Sequence, residues 1–116
     1  YQDHEFYEIH QFLSKLKTIP SAFFCTTDHY AMLCIKSLIK LGYKVPDDVE
    51  VIGFGNLNFS SLYNQELSTV TQPGFQMGEK AASMLLSKIE HGFYTFNNQD
   101  VVLPTKMIFR GTTRHR

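Results

Sequence analysis

The sequence predicts an α/β protein, a three-layer open parallel sheet. Three observations carry this. Short apolar runs alternate with longer amphipathic stretches, in the order α-β-α-β-loop-β-α-β. The run Ser21 to Thr26 (SAFFCT) is continuously apolar, which suits a strand covered on both faces. The strand Val49 to Phe54 stops at a glycine turn and opens into polar Asn56, Asn58 and Ser60. Ligands of open α/β sheets bind outside the carboxyl ends of such strands.

Each element has its own justification. Asp3 to Leu16 sets Phe6, Ile9, Phe12, Leu13 and Leu16 at helical spacing, and Pro20 closes the segment. After the first strand, Thr27 or Asp28 supplies an N-cap oxygen for the next helix. That helix runs to Lys40 or Leu41 and stops at Gly42. Ala31, Cys34, Ile35, Leu38 and Ile39 can face the sheet. Tyr30, Met32, Leu33 and Leu41 widen the apolar surface, so a second buried side is expected, against another subunit. Pro46-Asp47-Asp48 makes a turn into the second strand. Thirteen irregular residues, Gly55 to Leu67, follow it, a length typical of functional loops. Ser68 to Gln72 is extended and ends at Pro73-Gly74. The last helix, about Phe75 to Glu90, carries Gly78, Ala81, Ala82, Leu85, Leu86 and Ile89 on one stripe, and His91-Gly92 ends it. Asp100 to Arg110 is extended but interrupted by Pro104. Thr112 to Arg116 is polar and expected to fray.

Composition narrows the function classes. The chain has 116 residues, 43% hydrophobic and 19% charged, enough for one globular domain. Eleven basic and eleven acidic side chains cancel, so no net charge steers it to nucleic acid or an anionic membrane. No apolar run approaches the roughly 20 residues of a membrane span. Cys25 and Cys34 lack zinc spacing and read as small buried hydrophobes, consistent with a reducing cytoplasm. The five histidines form no i,i+4 pair, so neither a metal nor a cofactor is expected. Ser60, His29 and Asp28 could be drawn as a triad, but no GxSxG elbow or paired carboxylates support an enzyme.

Three motifs in order, PSAFFCTTDHYAMLCIKSLIKLGYKVPDDVEVIGFGN, LSTVTQPGFQMGEKAASMLLSKIEHG and VVLPTKMIFRGTTR, resemble the C-terminal part of LacI/GalR-family transcriptional regulators. The resemblance spans Ile19 to Arg114. It implies a periplasmic-binding-protein-like lobe, here incomplete. Residues 1–116 would be the C-terminal portion of the effector-binding and dimerisation domain. The DNA-binding headpiece and most of the first lobe would be absent, so DNA is contacted only through residues outside this chain. A small polar effector, a sugar or related metabolite, would sit between lobes and modulate operator affinity. The nearest rival, a lobe of an exported sugar-binding receptor, shares the fold. The apolar helix stripe and the closing VVLPTKMIFRGTTR favour the regulator.

The resemblance also places the effector contacts. Thr27 ends the first strand, and its hydroxyl can donate and accept. Asp28 beside it is expected to cap the helix more than to bind ligand. Gly55 stands where the family commonly has an aspartate, so the usual charged acceptor is missing. Asn56 or Asn58 could carry the polar contact instead, as could Asn64 or a residue of the other lobe. After TQP, Gly74 and Phe75 fall where an aromatic often meets the ligand, although Phe75 also suits a helix-start staple. The family pairs through the helix after the first strand and the loop after IGF. Met32, Ile35, Lys36 and Ile39, with Leu62 and Tyr63, are therefore expected at a homodimer seam. The helix after TQP packs in the family's first lobe. Its stripe is expected to fold back, swap with a neighbour or meet another molecule.

Overall fold

The computed structural model describes residues 2–56, 66–92 and 100–114. Its elements are helix α1 (Gln2–Lys15), strand β1 (Ala22–Phe24), α2 (Asp28–Lys40), β2 (Glu50–Ile52), β3 (Thr69–Thr71), α3 (Gly74–His91) and β4 (Lys106–Ile108). The chain divides into two compact units, residues 1–71 with 106–116, and residues 72–105.

In the first unit β1 and β2 pair in parallel, Ala22 against Glu50 and Phe24 against Ile52. β3 and β4 pair antiparallel, Thr69 against Ile108. A parallel bridge from Ile52 to Ser68 joins the two pairs. The amides of Gly53 and Gly55 donate to Ser68 and Val70 at 2.9 and 2.8 Å, so β3 continues the parallel order beside β2. The α/β class and the parallel pairing of the first two strands follow the sequence pattern. The strands are shorter than their apolar runs, and the expected extended segment Asp100 to Arg110 is a strand only after Pro104. Proline cannot donate to a ladder, so pairing begins beyond it.

The helices α1 and α2 pack together on the face of the sheet carrying Phe23 and Val51. Leu13 joins Ala31, Cys34, Ile35, Leu38, Val45, Val49, Val51 and Leu67 in one core, with Ile9, Leu16 and Phe23 against it. Burying each large aliphatic here contributes about 1.5–3 kcal/mol, as an upper bound. Two sequence expectations change. The second side of α2, expected against another subunit, is met in part by α1: His10 Nδ1 lies 2.7 Å from Ser37 Oγ, His29 Nε2 lies 2.8 Å from Glu5 Oε2, and Lys36 Nζ sits 5.0 Å over the Phe6 ring, while Ile39 stays half exposed. Ile35, expected at the dimer seam, is fully buried in the core. Its position on α2 falls between Ala31 and Leu38, in the middle of the sheet-facing stripe.

The tail also differs from expectation. Thr112 and Thr113 do not fray; both are buried. Thr112 Oγ1 donates to the Val51 carbonyl at 2.7 Å and accepts the Ser68 amide at 2.9 Å. Thr113 Oγ1 meets Ser68 Oγ at 2.8 Å. A threonine side chain can satisfy both a backbone donor and a backbone acceptor, which lets this irregular segment stay inside.

In the second unit α3 starts after Pro73 without a side-chain cap and ends at Gly92, whose φ of +83° suits glycine. None of its residues is buried. Its stripe does not fold back within this chain: Leu85, Leu86 and Ile89 are all more than half exposed. No helix among the described residues is long and apolar enough to cross a membrane.

Candidate functional site

Parallel strands end on the same side of a sheet, so β1 and β2 deliver Thr27 and Asn56 to one end. The Asp28 amide donates to the Phe54 carbonyl at 3.1 Å, which ties the two exits together. Thr27 is exposed, with φ −142° and ψ 157°, and its Oγ1 accepts the Tyr30 amide at 3.2 Å. Thr27 is therefore the N-cap of α2, and the capping role expected of Asp28 is corrected. Its hydroxyl hydrogen stays available to an acceptor, while the cap fixes the rotamer.

Asp28 turns inward and is fully buried. Its Oδ1 accepts from Thr69 Oγ1 at 2.6 Å. Thr69 Oγ1 in turn accepts the Asn56 amide at 3.3 Å. Asn56 Oδ1 accepts from Arg110 Nη2 at 3.0 Å, and Arg110 Nη1 donates to the Leu67 carbonyl at 3.0 Å. Arginine only donates, so this contact settles which end of the Asn56 amide faces it. The chain Arg110–Asn56–Thr69–Asp28 braces the ends of four elements against one another. Asp28 thus stands behind the wall of the site rather than on its surface.

Backbone conformation explains the residue choice at the turn. Gly55 has φ +119° and Asn56 φ +53°. Asparagine tolerates the left-handed region better than other non-glycine residues, and a φ near +119° is close to glycine-only. A Cβ at Gly55 would meet nothing, so space does not exclude an aspartate there; the backbone does. At Gly53 the reverse holds: a Cβ would run into Asp28 Oδ1 and sit 3.1 Å from both Asp28 Cα and Leu67 Cδ2.

Of the residues singled out from the sequence, Thr27, Gly55 and Asn56 come together. Asn58, Asn64, Leu62, Tyr63 and Ser60 lie outside the described residues. Phe75 opens α3 in the second unit and is 81% exposed, so it does not act as a buried staple. The triad drawn from Ser60, His29 and Asp28 gains no support: His29 faces Glu5 and Asp28 faces Thr69. Among the described residues no group of three metal-ligating side chains gathers. Sequence reasoning missed Arg110, Thr69 and the Phe24–Phe54 ring pair at this end, whose centroids are 6.4 Å apart. No local spacing links residues 56, 69 and 110; only the β2–β3–β4 order brings them together.

A separate concavity of this unit lies away from these strand tips. It is an apolar groove of about 790 Å³ between α1, β1 and α2, lined by Phe12, Leu13, Phe23, Cys25 and Cys34 among others.

The sequence matches the periplasmic binding protein-like domain family over residues 1–113. The chain belongs to that family. Curated relatives of this periplasmic binding protein-like domain include the NTD biosynthesis operon regulator NtdR of Bacillus subtilis, 35% identical over 101 residues, covering 87% of this chain and 30% of the relative. Another is the HTH-type transcriptional repressor PurR of Actinobacillus pleuropneumoniae, 30% identical over 103 residues, covering 89% of this chain and 31% of the relative. Among solved structures, the lac repressor dimer bound to operator and the anti-inducer ONPF superposes with a TM-score of 0.78 at 27% identity, over 94% of this chain and 37% of that one. The chain thus spans about a third of the length of the curated relatives it matches. The domain is of the LacI type, and these relatives are regulators rather than enzymes.

Proposed function

We propose that this chain is the ligand-sensing part of a LacI-type DNA-binding regulator, and that the tips of β1 and β2 form one wall of its effector site. The observation that carries this reading is the braced alignment of Thr27 and Asn56. The Asp28 amide holds the strand exits together, and Arg110 holds the Asn56 side chain. Thr27 offers a hydroxyl, and Asn56 and Gly55 offer an amide and bare backbone, donors and acceptors suited to a small polar metabolite of sugar or nucleoside type. Asn58, two positions after Asn56, would add a further amide donor and acceptor. The lac repressor structure that supports the fold is a dimer holding an operator and a small anti-inducer. By that likeness the protein pairs with a second copy, through Met32, Lys36 and Ile39 on α2 with Leu62 and Tyr63. Ile39, half exposed, is the apolar centre of the α2 part of that seam. DNA contact belongs to residues outside this chain, and the protein works in the cytoplasm.

Ligand binding to the folded state raises the melting temperature by linkage. Thermal-shift screening of the full-length protein against pentoses, hexoses, disaccharides and nucleosides is expected to give at least one concentration-dependent rise. Asn56→Ala and Thr27→Val should abolish it. A rise that survives both substitutions would place the site elsewhere.

A further inference from the structure

Arg110 takes one end of the Asn56 amide and leaves the other. Its Nη2 donates to Asn56 Oδ1 at 3.0 Å, while Nη1 on the Leu67 carbonyl, also at 3.0 Å, holds the guanidinium fork in place. The Asn56 backbone amide donates to Thr69 Oγ1 at 3.3 Å, so the turn that carries the side chain is held as well. Among the described residues nothing accepts from Asn56 Nδ2, whose two protons lie at the end of the amide not taken by the arginine.

Thr27 is left in the same condition. Its Oγ1 accepts the Tyr30 amide at 3.2 Å, and the hydroxyl proton stays for a partner. The neighbouring carboxylate, Asp28, is fully buried and accepts from Thr69. Gly55 adds no side chain, and its amide is bonded to the Val70 carbonyl at 2.8 Å. Both side chains at the strand tips therefore offer protons.

On the reading that the tips of β1 and β2 wall the effector site, on which this rests, we propose that the effector turns a carboxylate or carbonyl oxygen toward Asn56, and that Arg110 is the positioning residue that sets this preference. A carboxamide without a neighbour can turn over and present either its oxygen or its nitrogen. Arginine only donates, so the bond from Arg110 removes that choice. An oxygen with lone pairs and no proton then suits Nδ2 best. A hydroxyl can accept from Nδ2, but it brings a proton of its own that Asn56 no longer receives. An amino group brings protons against protons and leaves both sides unpaired, which costs affinity in a site closed from water. The guanidinium on the amide oxygen also polarises the amide and makes its N–H groups stronger donors.

The test uses the full-length protein and probes matched in skeleton: D-gluconate against D-glucitol, D-ribonate against ribitol, inosine against adenosine, and uridine against cytidine. The acid pairs report a carboxylate and the nucleoside pairs a ring carbonyl, so the arms tell the two sources apart. Thermal-shift titrations give an apparent Kd for each probe. In at least one pair the carboxylate or carbonyl member should bind about tenfold or more tightly. Asn56→Asp is the deciding variant. Aspartate has the same shape, tolerates the same left-handed backbone and keeps an oxygen for Arg110, but it has no N–H to donate. It should bind the favoured member about tenfold more weakly and close or reverse the gap. Arg110→Met lets the amide turn, so the ratio within the pair should fall toward one. A merely structural arginine would weaken both members alike and leave the ratio unchanged.

Equal binding within every responsive pair, a preference for the hydroxyl or amino member, or an Asn56→Asp protein that keeps the original preference would overturn the proposal. Where Thr27→Val still abolishes the response in such a case, the effector site stands and only the assignment of Asn56 as donor falls. A response that survives both Thr27→Val and Asn56→Ala, or no response to any probe, takes down the effector-site reading itself and this preference with it.

Discussion

The polar end of the first unit and the helix of the second invert the usual expectation about what is buried. Asp28, Ser68, Thr69 and Thr112 have no exposed surface, whereas Leu85, Leu86 and Ile89 are more than half exposed. The difference is one of partners. At the strand tips every buried polar group named above meets a complementary one from another element, which removes the penalty of leaving water. Along α3 the apolar stripe is equally regular, but periodicity only marks a face as able to pack. It does not supply the surface to pack against.

That contrast can be broken most sharply at Gly53. Gly53→Ala places a methyl group against the Asp28 carboxylate and backbone and the Leu67 side chain, so the network or the strand must move. The expected cost is about 3 kcal/mol or more of unfolding free energy, measured by urea denaturation. A loss below about 1 kcal/mol would show that the tip is loosely held.

Next in size is Thr69→Val, which keeps the shape but strips the Asp28 carboxylate of its donor and the Asn56 amide of its acceptor. About 1–3 kcal/mol should be lost. Thr112→Val should cost a similar amount by removing the bonds to Val51 and Ser68. Thr112 holds β2 at Val51, whereas Thr69 holds Asn56 beyond its end, so a double variant should come close to the sum of the singles. Strong coupling would mean that the tip and the tail form one network.

Much of this was legible in the sequence, and the limits have physical causes. Helices α1, α2 and α3 were readable because a 3.6-residue period repeats over several turns. The parallel pairing of β1 and β2 followed from two apolar runs separated by a helix. The tips at Thr27 and Asn56 followed from where those runs ended. What could not be read was long-range polar pairing. Arg110 meets Asn56 across 54 positions, and Ser68 meets Thr112 across 44. A tail written TTR looks like a fraying end until a strand needs its hydroxyls. Ile35 was read on both the sheet-facing stripe and the dimer seam, because neighbouring stripes share residues; the core holds it, while Ile39, also read as facing the sheet, is half exposed.

Arg110→Lys sharpens the comparison on a finer scale. Lysine keeps the charge but cannot hold the Asn56 oxygen and the Leu67 carbonyl at once from a planar fork. A loss of about 1 kcal/mol is expected, with weaker ligand-induced stabilisation. The smallest effect should come from α3. Leu86→Ser in this chain should change stability by about 0.5 kcal/mol or less, because the side chain is mostly exposed already. A larger loss would mean that the helix is covered in solution.

Amide hydrogen exchange on the full-length protein, with and without a hexose or nucleoside that raises its melting temperature, reads the central claim directly. The braced tips predict that protection on binding concentrates at residues 26–30 and 53–56 and disappears in Asn56→Ala. Protection confined to the groove beside Phe12 and Phe23, with both tips unchanged, would contradict it.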